Sequence, residues 1–512
     1  MKLRIFTVLF LAALAPLSAK VTLAPLFTDH AVLQQEKPVL VWGTAAPREH
    51  VVVQFHGEMS AADADALGAW QIELPAFAAT GRGAELVVKG ENLLTLHDVV
   101  VGEVWLCSGQ SNMEFTVDDP QSPGFKLQNA AAEVAAANYP LIRQFKVGKQ
   151  WSAEPLTQVQ GAWVRCSPAT VGLFSAAGYF FARDISAHFT VPVGIINSTW
   201  GGTPVESWMS QEALKSDHSF GVVAERWQKL ADAYPAAQAK YEAALASWRV
   251  RREAAKTAGQ EPAFVEQNPA PARILGAPTG DPWQPSSLYN GMISPLLPYR
   301  LRGMLWYQGE ANAGTMERAL EYHKLFSAMI TRWRVQFGQG DVPFYWVQLA
   351  SFKPSASWPF LREAQQQTLS LPNTGQAVAI DIGDPANIHP HNKQAVGHRL
   401  ALIALNQAYK VPIECSGPIF ANANVEGSAM RVWFNFCADH LQADQPVTTC
   451  ELAGSDRKFY PAAAHVEGNA LVVSSPQVPA PVAVRYSWAG FAEGHLYNSA
   501  GLPAAPFRSD NW

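Results

Sequence analysis

The stretch VVVGEVWLCSGQSNMEF, residues 99–115, is an apolar run that stops abruptly in small and polar residues. Val99 to Leu106 reads as a buried strand, because a near-continuous apolar run leaves neither face for solvent. Gly109, Gln110, Ser111 and Asn112 come where that strand stops. A serine in such a place is either a turn or helix-capping residue or a nucleophile held at a strand end. The residues at the ends of the other strands decide between the two.

Downstream, strands and helices alternate. VPVGIIN (191–197), LRGMLWY (301–307), VPFYWVQLA (342–350) and QAVAIDI (376–382) read as four more strands. Residues 174–189 carry Ala177, Phe180, Phe181, Ile185 and Phe189 at helical spacing, and 316–337 carry Tyr322, Leu325, Met329, Trp333 and Phe337. Residues 361–371 and 392–409 read as two further helices. Apolar strands separated by helices predict an α/β domain with a parallel sheet covered on both faces. Its first part spans 98–212 and its second 286–410. The intervening 213–285 reads as an insertion. Residues 223–257 suit a helical hairpin, and PAPARILGAPTGDPWQP (269–285) is too rich in Pro and Gly to continue it. Residues 20–97 and 411–512 hold short runs such as HVVVQFHG, AWQIEL, AMRVWFNF and VAVRYSW, which predict β-sandwich-like regions at both ends.

Lys plus Arg number 38 against 43 Asp plus Glu, a formal charge of -5, which argues against nucleic acid as a partner. MKLRIFTVLFLAALAPLSAK has the form of a signal peptide: Lys2 and Arg4, an apolar run from Ile5 to Leu14, and small residues before a cleavage after Ala19. The expected product is exported, periplasmic or extracellular, with no membrane insertion after cleavage. The five cysteines include no CxxC pair; Cys437 and Cys450 could bridge in an oxidising compartment, and Cys107 suits the core.

Ligands of open α/β sheets bind beyond the carboxyl ends of the strands. Four segments here are SGQSN, STWGGTPVESW, QGEAN and GDPANIHPHN. They bring a serine, a glycine pair, amides and a histidine to one edge, which suits acyl transfer. Ser111 would attack and His389 would take its proton. The oxyanion would be held by the N–H of Ser111 and of Gly201 or Gly202, with a side-chain donor from Gln308 or Asn312. His389, His391 and His398 with Asp381 and Asp384 also suggest a zinc set, but His398 falls inside a helix and H-x-H on a loop is unspecific. The serine site is preferred, with no metal or cofactor. A non-catalytic glycan-binding protein on a degenerate hydrolase domain is the alternative.

GEVWLCSGQSNMEF, NSTWGGTPVESW, GMLWYQGEANA and DIGDPANIHPHNKQAVGHRLA together resemble the sialate O-acetylesterase-like branch of the SGNH hydrolases. The resemblance implies a flavodoxin-like three-layer α/β/α core and deacetylation of O-acetylated carbohydrates, either sialic acids or plant cell-wall polysaccharides, without a metal. It assigns Ser111 as nucleophile, His389 as base, and Gly202 (or Gly201) with the Gln308 loop to the oxyanion. SGNH enzymes commonly place an Asp three residues before the His, where this chain has Ala386. Asp384 is then the first choice to orient His389, with Asp381, Glu310 or a backbone carbonyl as substitutes. Glu310, Asn312 and Trp200 are expected at the substrate. Trp200 and Trp208 beside the glycine pair suit stacking on sugar faces, and equally suit core packing.

Overall fold

The computed structural model describes residues 20–121, 125–271, 274–352 and 355–512. The expected export segment, 1–19, lies outside them. Six strands form the parallel core: β1 (Leu93–Gly109), β2 (Ile142–Lys146), β3 (Val193–Thr199), β4 (Gly303–Tyr307), β5 (Phe344–Val347) and β6 (Thr374–Ala377). Their order is β2-β3-β1-β4-β5-β6, every neighbouring pair parallel. From β1 the chain crosses to β2, returns to β3 between β2 and β1, and then builds through β4 to β6 on the other side, so the carboxyl end of β1 is the switch point of the sheet.

Helices α1 (Ala176–Phe189), α2 (Gly221–Thr257), α3 (Met316–Phe337), α4 (Trp358–Gln367) and α5 (Lys393–Gln407) complete the domain and its insertion. Side chains alternate across a strand, so Trp105 and Trp306 point to opposite faces, since Gly303 pairs with Trp105 and Trp306 with Ser108. Trp105 meets Phe181 of α1 at 4.9 Å. Trp306 meets Phe326 and Trp333 of α3 at 6.1 and 5.8 Å. Helices thus pack on both faces of the sheet. Each buried aromatic of this kind stabilises the fold by about 2–3 kcal/mol. The helix starts are capped by side chains: Ser175 accepts from the Gly178 N–H, Thr315 from Arg318 and Asn392 from Ala395.

Strands β2 and β6, helix α2, the pairing of Cys437 with Cys450 and the boundary at residue 97 depart from the sequence reading. Strand β2 is not expected from the sequence, because Arg143 and Gln144 break its apolar run. Both are nonetheless buried; Arg143 is held by the His30 carbonyl at 2.9 Å and the Asp98 carboxylate at 3.2 Å. Strand β6 stops at Ala377, and Ile380–Ile382 coils into a 3₁₀ turn. The expected hairpin is one helix, α2, of 37 residues with Pro235 inside it. The Ala-, Glu-, Lys- and Arg-rich run after Pro235 has the propensity to carry the helix through. All five cysteines are free, so Cys437 and Cys450 are not bridged.

The N-terminal β region is not a separate body with a linker. The first half of β1 pairs antiparallel with Thr80–Lys89, and its second half enters the parallel sheet. The expected boundary at residue 97 therefore falls inside one continuous strand. The last hundred residues form a seven-stranded antiparallel sheet with its own apolar cluster around Val432, Leu452 and Val484. Arg508 ties it to the core through both oxygens of Glu363 on α4, at 2.9 Å each. Among the described residues no helix is long and apolar enough to cross a membrane.

Candidate active site

Strand β1 ends in Gly109 at φ 129°. A Cβ there would lie 2.3 Å from the Tyr307 carbonyl oxygen, so only glycine lets β1 finish flush against β4. The Gln110 N–H then donates to the Tyr307 carbonyl (3.0 Å), and its Oε1 accepts from the N–H of Ala311 (3.2 Å). These bonds fix a single helical turn, Ser111–Glu114, at the switch point. Ser175 holds the turn from behind by donating to the Met113 carbonyl at 2.7 Å.

His389 arrives from the loop before α5, and its Nε2 lies 2.8 Å from Ser111 Oγ. With the serine O–H donating to Nε2, a neutral imidazole carries its proton on Nδ1. The Phe125 ring lies 4.6 Å from that of His389. Burial first, then the charges of Lys393 and His391, push the imidazole down to about 4. At neutral pH it is an unprotonated imidazole in contact with the serine hydroxyl.

No carboxylate meets His389 Nδ1 among the described residues. Asp384 Oδ1 instead accepts from the N–H of Ala386 (2.8 Å) and Asn387 (3.2 Å), shaping the loop. The side-chain carbonyl oxygen of Asn387 in turn accepts from the His389 N–H at 3.0 Å. Asp381 forms a two-pronged pair with Arg399 at 2.7 and 2.6 Å. The reason lies in chain geometry: two extra residues between the acid and the histidine close an Asp turn before His389 is reached. The other histidines are also engaged apart from one another. His398 pairs with Asp184 at 2.7 Å, and His391 contacts the Lys126 carbonyl at 2.5 Å.

Ser111 opens on a cleft of about 310 Å³ lined by Glu114, Thr116, Asp119, Phe125, Lys146, Lys149, Trp200 and Gly201. Trp200 is half-buried in its wall, and the Lys149 ammonium sits 5.5 Å from its ring centre. Glu114 is a member that the motifs do not announce. Its carboxylate accepts from the Gly201 N–H at 2.7 Å and pairs with Lys149 at 2.5 Å. The Gly201 N–H is therefore occupied. That of Gly202, at φ 74° and exposed, has no acceptor among the described residues; neither has that of Ser111.

Gln308, Glu310 and Asn312 are placed elsewhere than expected. Gln308 is fully buried, and its amide hydrogens go to the Thr203 carbonyl (3.1 Å) and Asn312 Oδ1 (2.8 Å). Its Oε1 accepts from Tyr322 at 2.9 Å. It has no donor left for an oxyanion. Asn312 is likewise buried, accepting from the Val205 N–H (2.9 Å) and donating to Glu206 (2.8 Å). Glu310 accepts from the Asn112 amide at 2.5 Å and does not line the cleft. Trp208 is fully buried, edge-on to Trp306 at 6.0 Å, so it is core and not a sugar platform. The sequence carried one unused signal here. Lys393 occupies the same stripe of α5 as Val396, Gly397 and Leu400, all buried, a position that an apolar residue would normally fill.

Residues 101–245 and 275–406 match the carbohydrate esterase family described as sialic acid-specific acetylesterase, the break falling within the insertion. The chain is 32% identical over 459 residues to the sialate O-acetylesterase of Mus musculus, spanning 81% of this chain and 78% of that protein. Against the sialate O-acetylesterase of Homo sapiens it is 29% identical over 457 residues, spanning 81% and 76%. A crystal structure of a carbohydrate acetylesterase from Xanthomonas citri superposes with a TM-score of 0.79 at 38% identity, over 96% of this chain and all of that one. A serine–histidine contact at the switch point of the sheet, within the matched segments, agrees with these likenesses: the chain belongs to the sialic acid-specific acetylesterase family and is a carbohydrate O-acetylesterase.

Proposed function

We propose that the protein is an exported serine esterase with an SGNH-type α/β/α core, removing O-acetyl groups from carbohydrates through an acetyl-serine intermediate. The observation that carries this is the 2.8 Å contact of Ser111 Oγ with His389 Nε2 at the edge of the cleft. Ser111 Oγ attacks the acetyl carbonyl while His389 takes its proton. The N–H groups of Ser111 and Gly202 receive the oxyanion; of the three candidates Ser111, Gly201 and Gly202, only that of Gly201 is taken, by Glu114. His389 then protonates the departing sugar oxygen, and water enters by the same route in reverse to release acetate. Without a carboxylate on Nδ1 the pair works as a dyad. Trp200 offers an aromatic face to the sugar.

One observation favours an acidic sugar over a neutral polysaccharide. Lys146 and Asp119 both line the cleft with no oppositely charged partner among the described residues, but Asp119 is engaged by the Gln121 N–H, which leaves the Lys146 ammonium open to a ligand. An ammonium in that place suits the carboxylate of a sialic acid. The export proposal rests on the composition of residues 1–19.

Acetate release from p-nitrophenyl acetate by wild type and Ser111→Ala, each with and without a chelator, tests the chemistry. Loss of turnover in the variant alone supports it, and equal rates in both proteins would contradict it. Comparing O-acetylated sialic acid with acetylated xylan, in wild type and Lys146→Met, tests the sugar. A selective rise in KM for the sialic acid supports the acidic substrate, and an unchanged preference would contradict it.

A further inference from the structure

Asn112 comes directly after the nucleophile, yet it is buried and takes no part in lining the cleft. Its amide nitrogen donates to Glu310 Oε1 at 2.5 Å and to the Ile388 carbonyl at 3.1 Å. Its Oδ1 accepts from Lys393 Nζ at 2.6 Å. One side chain thus joins the turn of Ser111 to the loop after β4, to the residue before His389, and to the first turn of α5.

Lys393 is the unusual member. It is fully buried and touches no carboxylate directly among the described residues; its ammonium faces the rings of Phe115 at 4.8 Å and Tyr307 at 5.1 Å. A buried charge is costly unless it is paired. It also begins a helix, where the backbone dipole disfavours a cation. Across Asn112 lies Glu310, whose Oε2 is buried with no hydrogen-bond partner among the described residues, as is the Tyr307 hydroxyl. The fold therefore keeps an amine and a carboxyl group on opposite sides of one amide, directly behind the reacting pair.

We propose that Lys393 is a positioning residue for catalysis: anchored through Asn112 and balanced by Glu310, it holds the Ile388–His389 backbone in register with Ser111. This rests on Ser111 and His389 being the reacting pair. The titratable groups facing His389 are Lys393 from α5 and His391 from its own loop, with Glu310 beyond Asn112. The Lys393 cation helps hold the imidazole down, while burial brings Lys393 itself to about 7, partly offset by Glu310. Removing the Lys393 charge must then raise the pKa of His389 and move the acid limb of the rate profile to higher pH.

The test is kcat and KM for p-nitrophenyl acetate from pH 4 to 9, in wild type, Lys393→Met, Lys393→Gln and Asn112→Ala, with melting curves for each. Lys393→Met is expected to lower kcat about 10- to 100-fold with KM nearly unchanged, and to shift the acid limb upward. Lys393→Gln, which keeps a donor for Asn112 but no charge, should show the same shift with kcat partly restored. If Lys393 variants do not fold, Asn112→Ala must still reduce kcat at constant KM. Wild-type kcat and acid limb in folded Lys393→Met, or wild-type kcat in Asn112→Ala, would overturn the proposal. Activity surviving in Ser111→Ala would instead remove the serine mechanism beneath it, so the two failures are separable.

Discussion

The loop after β1 and the loop after β4 carry nearly the same residue types. One reads Gly109-Gln110-Ser111-Asn112, the other Gln308-Gly309-Glu310-Ala311-Asn312. In the first, Ser111 reaches the cleft and meets His389. In the second, every polar side chain turns inward and is bonded: Gln308 to Thr203, Asn312 and Tyr322, Glu310 to Asn112, Asn312 to Val205 and Glu206. One loop presents its serine to the cleft, and the other holds the strand ends in place. The difference is which side chain faces the cleft, Ser111 and none of the second loop, and Asn112 links the two.

That contrast makes graded predictions. Ser111→Ala or His389→Ala should reduce kcat by about 10³-fold or more while leaving the melting temperature near wild type. Gln308→Leu should do the reverse in kind. It leaves the Thr203 carbonyl, Asn312 and Tyr322 short of partners in the interior, costing about 2–4 kcal/mol of stability by denaturant titration. A loss of kcat in a protein of wild-type stability would instead return Gln308 to the oxyanion. Glu114→Gln keeps an acceptor for the Gly201 N–H but loses the Lys149 pair, and should alter KM by a few-fold. The smallest effect is expected from Asp384→Asn, within about threefold in kcat, because the amide oxygen still accepts from Ala386 and Asn387. A triad aspartate would cost about 10⁴-fold on the same change. Finally, kcat/KM should hold down to about pH 4 and fall below it as His389 takes up a proton, since burial and Lys393 depress its pKa.

Much of this was readable in the sequence because strand ends and periodicity are local properties. Five of the six parallel strands, helices α1, α3, α4 and α5, and the pairing of Ser111 with His389 come from apolar runs and from the residues that interrupt them. The unreadable part depends on burial set by distant segments. Strand β2 looks polar until Asp98 and the His30 carbonyl cover Arg143. Gln308 and Asn312 look like ligand donors until Thr203 and Glu206 take their hydrogens. Asp384 looks like a triad acid until its own loop closes on it. Glu114 and Lys393 gave only a carboxylate beside a motif and a lysine on an apolar stripe, signals that acquire meaning once the glycine loop and Asn112 are in place.

The most direct measurement is mass spectrometry of the acid-quenched enzyme after brief mixing with an acetyl ester. One acetyl group on the peptide containing Ser111, absent from Ser111→Ala and persisting longer in His389→Ala if any forms there, is the predicted result. Full turnover by the wild type with no acetylated Ser111 at any quench time, and equal turnover by Ser111→Ala, would contradict it.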